Sequence, residues 1–328
     1  MKYRTIGPHK ELLSAVGLGC MVMNHGYGLA DEKGSIHVME KALELGINFW
    51  DTADVYANGE NERLVSRVLK PNRNRIFIAS KFGFIMEGPG QFTGVDGSPA
   101  YVKKAVEASL QRLETDHIDL YYLHRLDPNI PVEETIGAMA ELVQAGKIRY
   151  IGLSEVSAGT LRRAQNVYPV AALQSEYSLL SREAEKEIIP ACFQMGITFV
   201  PFSPLSRGLL TNTLNVSLLE ENDFRRQLPR YQEQYKKNNE QLALALESLA
   251  KKAGYTPAQL ALAWILQKGE HIIPIPGTKK VNYLTENAAS AEIDLSPDIL
   301  LAMEELLAKY PDTGSRYNES NWKFVDRG

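Results

Sequence analysis

Short apolar stretches, each about as long as a β-strand, alternate along the chain with longer segments that mix apolar and polar residues. Unbroken apolar stretches of this kind are typical of strands that are buried on both faces, as in a parallel sheet. The predicted strands are Val16–Cys20, Asn48–Trp50, Ile76–Ser80, Leu120–Leu123, Ile148–Leu153, Ala171–Leu173, Ile197–Pro201 and Ile272–Ile275. Before them, Tyr3–Ile6 and Glu11–Leu13 have the spacing of a short hairpin.

The segments between the predicted strands carry apolar residues every three or four positions, which is the spacing of one helix face. Such faces are Ile36, Met39 and Leu43, then Val102, Val106, Leu110 and Leu113, then Ile136, Met139 and Val143. Gly46, Gly146 and Gly196 follow helical patterns, at positions where a helix ends in a left-handed turn before the next strand. The chain therefore repeats a unit of strand, helix and glycine.

Eight parallel strands joined by helices close most economically into a (β/α)8 TIM barrel, in which right-handed crossovers bury every strand on both faces. A doubly wound dinucleotide-binding sheet is the alternative. It requires a third small residue after Gly17 and Gly19, and Val22 stands at that position. The pattern favours the barrel.

Three features depart from the simple repeat. Ser203 to about Tyr235 is a long polar connection, and Gln241–Ala253 has the pattern of an extra helix. Pro190 interrupts the helical pattern of Arg182–Met195, so we expect a kink or a second helix that begins there. We predict a single domain over residues 1–328, a TIM barrel with an N-terminal hairpin and extra helices.

Composition excludes several classes of protein. Lys and Arg number 36 against 40 Asp and Glu, a formal net charge of −4, and 44% of the 328 residues are hydrophobic. This balance indicates a soluble globular protein without a nucleic-acid-binding surface. Cys20 and Cys192 are too few for a disulfide framework or a zinc site, as is usual in a reducing compartment. Since no signal-like segment and no apolar run of ~18 residues occurs, we expect a cytoplasmic protein with no membrane partner.

Four reactive side chains stand where predicted strands end. Asp51 follows the second strand and Tyr56 comes five residues later, Lys81 follows the third strand, and His124 follows the fourth. The carboxyl ends of barrel strands meet at one opening, which is where barrel enzymes place their catalytic groups. Each residue alone has an ordinary structural explanation, but their common position predicts a catalytic site.

These residues, with others in a fixed order, resemble the aldo-keto reductases over nearly the whole chain. The further motifs that carry the resemblance are Gly17-Leu18-Gly19, Val200–Gly208 and Glu286-Asn287. The similarity is greatest to the bacterial and plant enzymes, in the branch that includes potassium-channel β-subunits. It implies an NADP(H)-dependent oxidoreductase that reduces aldehydes and ketones on a TIM barrel, with Asp51, Tyr56, Lys81 and His124 as its catalytic tetrad.

The chemistry of these four residues fits that reaction. Hydride transfer to a carbonyl carbon places negative charge on the oxygen, so the enzyme needs a proton donor at that atom. We expect Tyr56 to supply the proton and the Lys81 ammonium to lower the pKa of the phenol. Asp51 then keeps Lys81 charged, while His124 hydrogen-bonds and orients the substrate oxygen.

The resemblance also implies a set of cofactor-binding residues. It assigns the nicotinamide to Ser154, Gln174 and Phe202, with Glu155 standing where many relatives have asparagine. It assigns the pyrophosphate to a loop that closes over the dinucleotide, formed by Ser203, Leu205, Ser206, Arg207 and Gly208. It assigns the 2′-phosphate of NADP to Gly277, Thr278, Lys279 and Lys280, and the adenine to Glu286 and Asn287.

The substrate is expected to be a small carbonyl compound in a mostly apolar pocket. Loops after the strands supply its predicted walls, which are Met21, Tyr27, Phe82 and Arg125, together with the C-terminal segment that contains Trp322. Arg125 could receive an anionic group of the substrate, but a surface ion pair with Asp127 is the expected use of both.

Three other functions fit parts of the pattern. A Schiff-base aldolase would use Lys81 as its nucleophile, which the nearby Asp51 opposes. A non-catalytic or weakly catalytic dinucleotide sensor would bind the cofactor without fast turnover. A metal-dependent hydrolase would need a cluster of ligands, whereas His124 is the one histidine of six at a predicted strand end, so we expect no metal.

Overall fold

In the computed structural model, which describes residues 1–24, 26–28, 31–88, 91–211, 214, 216–221 and 223–328, seven strands form one parallel sheet. In sheet order they are β3 (Leu18–Gly19), β4 (Phe49–Asp51), β5 (Phe77–Phe82), β8 (Ile118–Leu123), β9 (Ile148–Ser154), β10 (Val170–Glu176) and β11 (Thr198–Phe202). The predicted N-terminal hairpin is confirmed as antiparallel β1 (Tyr3–Ile6) and β2 (Glu11–Ser14).

An eighth segment, residues 272–276, lies between β11 and β3 and closes the sheet into a barrel. On one side, Ile273 N donates to Phe199 O at 2.9 Å, and on the other Gly17 N donates to Pro274 O at 2.9 Å. Pro274 and Pro276 have no N–H, so the segment meets β3 through its carbonyl oxygens and does not form a regular strand. The predicted eight-stranded barrel is confirmed.

Most of the helices connect successive strands around the outside of the barrel, and the last three follow the closing segment. The helices are α1 (Glu32–Glu44), α2 (Glu60–Leu69), α3 (Pro99–Leu113), α4 (Val132–Gln144), α5 (Ala158–Val167), α6 (Ile188–Met195), α7 (Glu233–Ala253), α8 (Pro257–Leu266), α9 (Val281–Ala289), α10 (Pro297–Lys309) and α11 (Glu319–Trp322). Several begin at a side-chain cap, such as Asp31 before α1 and Ser98 before α3. Among the described residues, no helix is both long and apolar enough to cross a membrane.

Three segments refine or depart from the elements predicted from the sequence. A second helix does begin near Pro190, because α6 starts at Ile188 and places the proline in its first turn, where no intrahelical N–H is lost. The extra helix was predicted too short, since α7 already begins at Glu233. A hairpin of β6 (Phe84–Gly88) and β7 (Gln91–Val95) follows β5 and was not predicted, although Pro89-Gly90 is a turn dipeptide.

Successive residues of each strand point alternately into the barrel and out toward the helices. On β5, Phe77 and Ala79 belong to the cluster inside the barrel, whereas Ile78 and Phe82 belong to the cluster between strands and helices. This alternation directs Lys81 into the barrel. Ile6 of the hairpin packs in the inner cluster. The parity of a strand position therefore decides which side chains reach the interior.

The contact between β3 and the closing segment, which we call the seam, leaves no space for a side chain on β3. A Cβ atom at Gly19 would lie 2.7 Å from the carbonyl oxygen of Ile275, which belongs to the closing segment. We expect Gly19→Ala to lower the free energy of unfolding by about 1–3 kcal/mol, because the seam must open to accept the methyl group. Urea unfolding followed by circular dichroism measures this change.

Gly137→Ala is the matched control. Position 137 lies within α4, and a Cβ there meets no atom within 4 Å. Since alanine favours the helix over glycine, this variant should gain about 0.5–1 kcal/mol. A Gly19→Ala protein as stable as the wild type would contradict the tight seam.

Candidate active site

Lys81 lies at the centre of a buried polar group at the carboxyl ends of the strands, which we call the barrel mouth. Its Nζ donates to Asp51 Oδ1, to Thr52 O at 2.8 Å and to the Tyr56 hydroxyl at 3.3 Å. Lys81 is fully buried and Asp51 is nearly so. The structure therefore brings together three of the four predicted catalytic residues.

Gln174 connects this group to the far side of the barrel. Its Nε2 donates to Asp51 Oδ2 at 2.8 Å, so that both oxygens of Asp51 are bound. Gln174 pairs in register with Ser154 on the neighbouring strand β9. Gln174 and Ser154, both predicted to bind nicotinamide, consequently lie side by side at the mouth.

The turn that carries Tyr56 is fixed from two sides. Ala57 and Asn58 adopt left-handed backbone angles directly after Tyr56, and they turn the chain toward α2. Thr52 Oγ1 donates to Asn61 Oδ1 at 2.7 Å, and Asn61 Nδ2 donates to the Cys20 carbonyl oxygen at 3.0 Å. These buried bonds anchor both ends of the turn, and so position the phenol.

His124 is the fourth predicted residue, and its ring lies against Tyr56. The two ring centroids are 6.0 Å apart in an edge-to-face arrangement, and the Phe84 ring also packs on His124, with centroids 4.9 Å apart. Burial, with Arg125 and Lys81 adding to it, lowers the pKa of His124 well below its ordinary value of 6.5. The imidazole is therefore neutral, and its Nδ1 is buried without a partner among the described residues.

Burial changes the expected acidity of Tyr56. Burial raises the pKa of the phenol above its ordinary value of 10.0, and the Lys81 ammonium opposes this shift without reversing it. The sequence-based expectation of a net lowered pKa is thus wrong for this structure, because desolvation exceeds the attraction to Lys81. Burial also disfavours the Lys81 ammonium, yet Asp51 and Tyr56 raise its pKa above 10.5.

Arg125 is buried at the mouth and does not form the expected ion pair with Asp127. Its guanidinium donates to the His124 carbonyl oxygen at 2.6 Å and to Ser154 Oγ at 3.1 Å. Asp127 instead accepts from the backbone of Gly97 at 3.1 Å and of Asn129 at 2.9 Å. The expected surface pair was wrong because Arg125 is buried and its guanidinium bonds His124 and Ser154 instead.

The loop after β11, residues 203–208, begins the long connection and is here called the clasp loop. Ser203, Ser206, Arg207 and Gly208 have positive φ angles, which bend the loop backbone into a tight curl. Tyr231 holds this shape from outside, since its hydroxyl donates to the carbonyl oxygens of Ser206 and Arg207, each at 3.1 Å. Phe202 and Leu205, also predicted to bind cofactor, are both partly buried.

The Arg207 side chain forms hydrogen bonds with other protein groups in the structure. Its guanidinium donates to Glu176 Oε2 at 2.9 Å and to the Tyr27 hydroxyl at 3.4 Å. Arg225 lies over the Tyr27 ring at 4.4 Å and donates to the Arg207 carbonyl oxygen at 3.2 Å. The clasp loop is thereby joined to the loop after β3.

Residues 277–280 lead from the closing segment into α9. Thr278 Oγ1 accepts from Lys280 N at 3.1 Å, and Lys279 Nζ donates to Tyr27 O at 2.7 Å. Burial and then the nearby Arg225 lower the pKa of Lys279, and Lys280 adds to the effect. Lys279, Lys280 and Arg225 therefore lie near one another at this end of the molecule, together with the carboxylates of Glu220 and Asp223, the latter paired with Arg225.

Glu286 and Asn287, the two residues predicted to bind the adenine, are partly buried and buried respectively. In α9, Glu286 accepts a hydrogen bond from the hydroxyl of Thr256, which caps α8. Asn287 is buried on the same helix. Gly277 packs against Gly19, where an added Cβ would lie 2.8 Å from the Gly19 carbonyl oxygen.

The predicted pocket wall is partly wrong. Phe82 is fully buried between strands and helices, where its ring stacks on Tyr121 at 4.9 Å. Since Lys81 points inward, its neighbour on the strand must point outward, and this alternation could have shown the error. Phe84 lies beside His124 instead, and Phe324 packs on Phe84 at 5.5 Å. Met21 and Tyr27 are partly buried on the loop after β3.

Glu155 ties the C-terminal segment to the mouth. Arg316 donates to both of its carboxylate oxygens, at 2.9 and 2.7 Å, and Glu176 N donates to Oε1 at 2.7 Å. Asp326 N also donates to the Glu155 carbonyl oxygen at 3.0 Å. Because its oxygens are bonded in this way, Glu155 holds the C-terminal segment against the barrel. Sequence reasoning did not predict this role.

Comparison with known proteins agrees with this geometry. A family model described as the aldo/keto reductase family matches residues 15–308. The chain is 41% identical over 320 residues to a probable aldo-keto reductase 1 of Glycine max, which covers 96% of this chain and 92% of that protein. It is 42% identical over 320 residues to an NADP(+) aldo-keto reductase of Schizosaccharomyces pombe, covering 96% and 94%.

Solved structures extend the similarity to the fold. A glycerol dehydrogenase from Gluconobacter oxydans superposes with a TM-score of 0.86 at 29% identity, over 94% of this chain and 95% of that one. An aldo-keto reductase from Klebsiella pneumoniae in complex with NADPH gives a TM-score of 0.74 at 26% identity, over 97% and 99%. The chain therefore belongs to the aldo/keto reductase family and is an oxidoreductase.

Proposed function

We propose that this protein reduces aldehydes and ketones to alcohols with NADPH, and that Tyr56 donates the proton. The observation that carries the proposal is the buried chain of contacts from Asp51 through Lys81 to the Tyr56 hydroxyl, 3.3 Å from Nζ, with His124 alongside. A phenol held beside an ammonium at the open end of a barrel suits proton transfer to a carbonyl oxygen.

The residues present fit a bound dinucleotide. The unpartnered Nδ1 of His124 and the curled backbone of the clasp loop offer polar groups at the mouth, and Lys279 and Lys280 place two ammonium groups beyond it, near the paired Arg225 and Asp223. The relatives described as binding NADP(+) or NADPH support the same cofactor here. When bound, NADPH supplies the hydride that adds to the carbonyl carbon.

We assign the parts of the cofactor to three groups of residues. The nicotinamide is assigned to Ser154, Gln174 and Phe202, and the pyrophosphate to Ser203 and Leu205–Gly208. The 2′-phosphate is assigned to residues 277–280 at the start of α9, and the adenine to Glu286 and Asn287. A helix start with hydroxyl and ammonium donors favours a phosphate.

Each member of the tetrad has a defined task in this proposal. Asp51 keeps Lys81 charged, and Lys81 offsets part of the cost of placing negative charge on Tyr56. Tyr56 gives its proton to the carbonyl oxygen as charge develops there. The neutral His124 donates an N–H to the same oxygen and orients it.

The geometry counts against a Schiff-base aldolase. A nucleophilic lysine must lose its proton, which requires a lowered pKa. Asp51 and Tyr56 instead raise the pKa of Lys81. A dinucleotide sensor would share the binding residues but would not oxidise NADPH with a simple aldehyde at steady state.

Tyr56→Phe should lower kcat for aldehyde reduction by about 100-fold or more, because the proton donor is lost while the ring is kept. Binding of NADPH, measured by protein fluorescence, should change little. Tyr3→Phe is the control, since that hydroxyl contacts Gly46 at the other end of the barrel. Turnover near the wild-type value in Tyr56→Phe would refute the assigned role.

The direction of the Tyr56 pKa predicts the pH dependence. Since the pKa lies above 10.0, the phenol stays protonated at neutral pH, and His124 stays neutral because its pKa lies well below 6.5. The kcat for reduction should therefore be flat between about pH 6 and 9, whereas alcohol oxidation, which needs the phenolate as base, should rise throughout that range. Stopped-flow rates of hydride transfer in both directions measure this. An oxidation rate that levels off near neutrality would contradict the raised pKa.

A further inference from the structure

The buried charges at the barrel mouth do not balance. Four buried arginines lie there, whereas the described carboxylates bonded to them are Glu155 and Glu176. The arginines are Arg125, Arg207, Arg230 and Arg316, each with a side chain exposed by 8% or less. Burying a guanidinium is costly unless a carboxylate or several acceptors accompany it.

Three of the four arginines have a carboxylate partner. Arg207 and Arg230 share Glu176, at 2.9 and 3.5 Å. Arg316 takes both oxygens of Glu155, at 2.9 and 2.7 Å. These arginines hold the clasp loop, the segment before α7 and the C-terminal segment to the barrel, so a structural role accounts for each of them.

Arg125 differs, because the groups that it hydrogen-bonds are neutral, and the carboxylate on which its charge acts, Glu155, is hydrogen-bonded to Arg316 instead. It donates to the His124 carbonyl oxygen at 2.6 Å, to Ser154 Oγ at 3.1 Å and to the Tyr317 hydroxyl at 3.5 Å. These contacts fix the direction of the guanidinium but leave its charge without a hydrogen-bonded carboxylate among the residues that the structure describes. A positive charge held in this way is ready for an anion.

The position of Arg125 points to the substrate. It directly follows His124, and both side chains pack on the ring of Phe84, His124 at 4.9 Å and Arg125 at 5.8 Å. Its charge also acts on the Tyr56 hydroxyl, where it favours the phenolate. An anion on Arg125 would thus lie within the same pocket as the carbonyl group that Tyr56 protonates.

We infer that Arg125 is a specificity-determining residue that binds a carboxylate on the substrate, so that the preferred substrates are oxo acids whose aldehyde or ketone lies a short chain away from the acid. Phe84 and Phe324, which pack on each other, offer a single apolar surface beside the intervening carbon chain. This inference rests on the proposed carbonyl reduction and names its substrate class. A planar guanidinium binds a carboxylate through two parallel hydrogen bonds, which gives direction as well as charge.

The test compares each acid with its methyl ester, which keeps the shape and removes the charge. We would measure kcat/KM with NADPH for 4-oxobutanoate and 5-oxopentanoate and for their methyl esters. Because charged hydrogen bonds are the stronger ones, the wild type should prefer the better acid to its ester by about 10-fold or more. Arg125→Met should lower this preference about 10-fold, to a ratio near one, and Arg125→Lys should retain part of it.

The ratio of acid to ester cancels any loss that is common to both substrates. Arg163→Met is the matched control, because Arg163 pairs with Glu133 on the outer surface and should leave the ratio unchanged. A wild type that prefers both esters would overturn the inference. So would an Arg125→Met protein that loses acid and ester activity in equal proportion, which would make Arg125 a positioning residue for Ser154 and His124.

A binding measurement separates failure of the inference from failure of the proposed function. If the wild type reduces neither esters nor acids, the proposed function fails. Titration of the NADPH-loaded protein with butanoate and with butanamide, followed by calorimetry, then still tests Arg125. Butanoate should bind about 10-fold more tightly, and Arg125→Met should remove the difference. Equal affinities in the wild type would reject the carboxylate site.

Discussion

The ammonium of Lys81 is buried inside the barrel, and the geometry of the active site depends on how that charge is satisfied. An ammonium has three N–H donors, and Asp51, the Thr52 carbonyl oxygen and the Tyr56 hydroxyl accept them. Because a buried charge that loses a partner is strongly destabilising, the position of the phenol is fixed by the same bonds that make burial of Lys81 tolerable. Gln174 extends this constraint by holding the second oxygen of Asp51.

The barrel brings these side chains together because their strands are neighbours. β4, β5 and β8 are consecutive in the sheet, and they place Asp51, Lys81 and His124 at successive positions around the mouth. The seam on the opposite side of β3 is built from Gly19 and from carbonyl oxygens of the proline-containing closing segment. Because the backbones of β3 and the closing segment can approach this closely, the barrel closes. Closure sets the distance across the barrel that Gln174 spans to reach Asp51.

A second group of buried charged residues lies around Lys81 and Asp51, and it connects distant parts of the chain. Glu155 and Glu176, at the ends of neighbouring strands, bind arginines from the clasp loop and from the C-terminal segment. The Arg316 bond joins residues 161 positions apart, and it brings Tyr317 next to Arg125. The mouth is therefore shaped by segments that follow the barrel in sequence and depend on buried ion pairs for their place.

The sequence by itself determined the strand and helix alternation, the barrel, and the common location of Asp51, Tyr56, Lys81 and His124, because strand ends in a parallel barrel converge whatever the details of packing. It did not determine which way Arg125 turns or that Arg316 binds Glu155, since these depend on contacts between distant segments, whereas the outward direction of Phe82 follows from strand alternation once Lys81 faces the interior. The acidity of Tyr56 was also decided by tertiary structure. Only the folded chain fixes how much water the phenol loses, and this desolvation outweighs the neighbouring charge of Lys81.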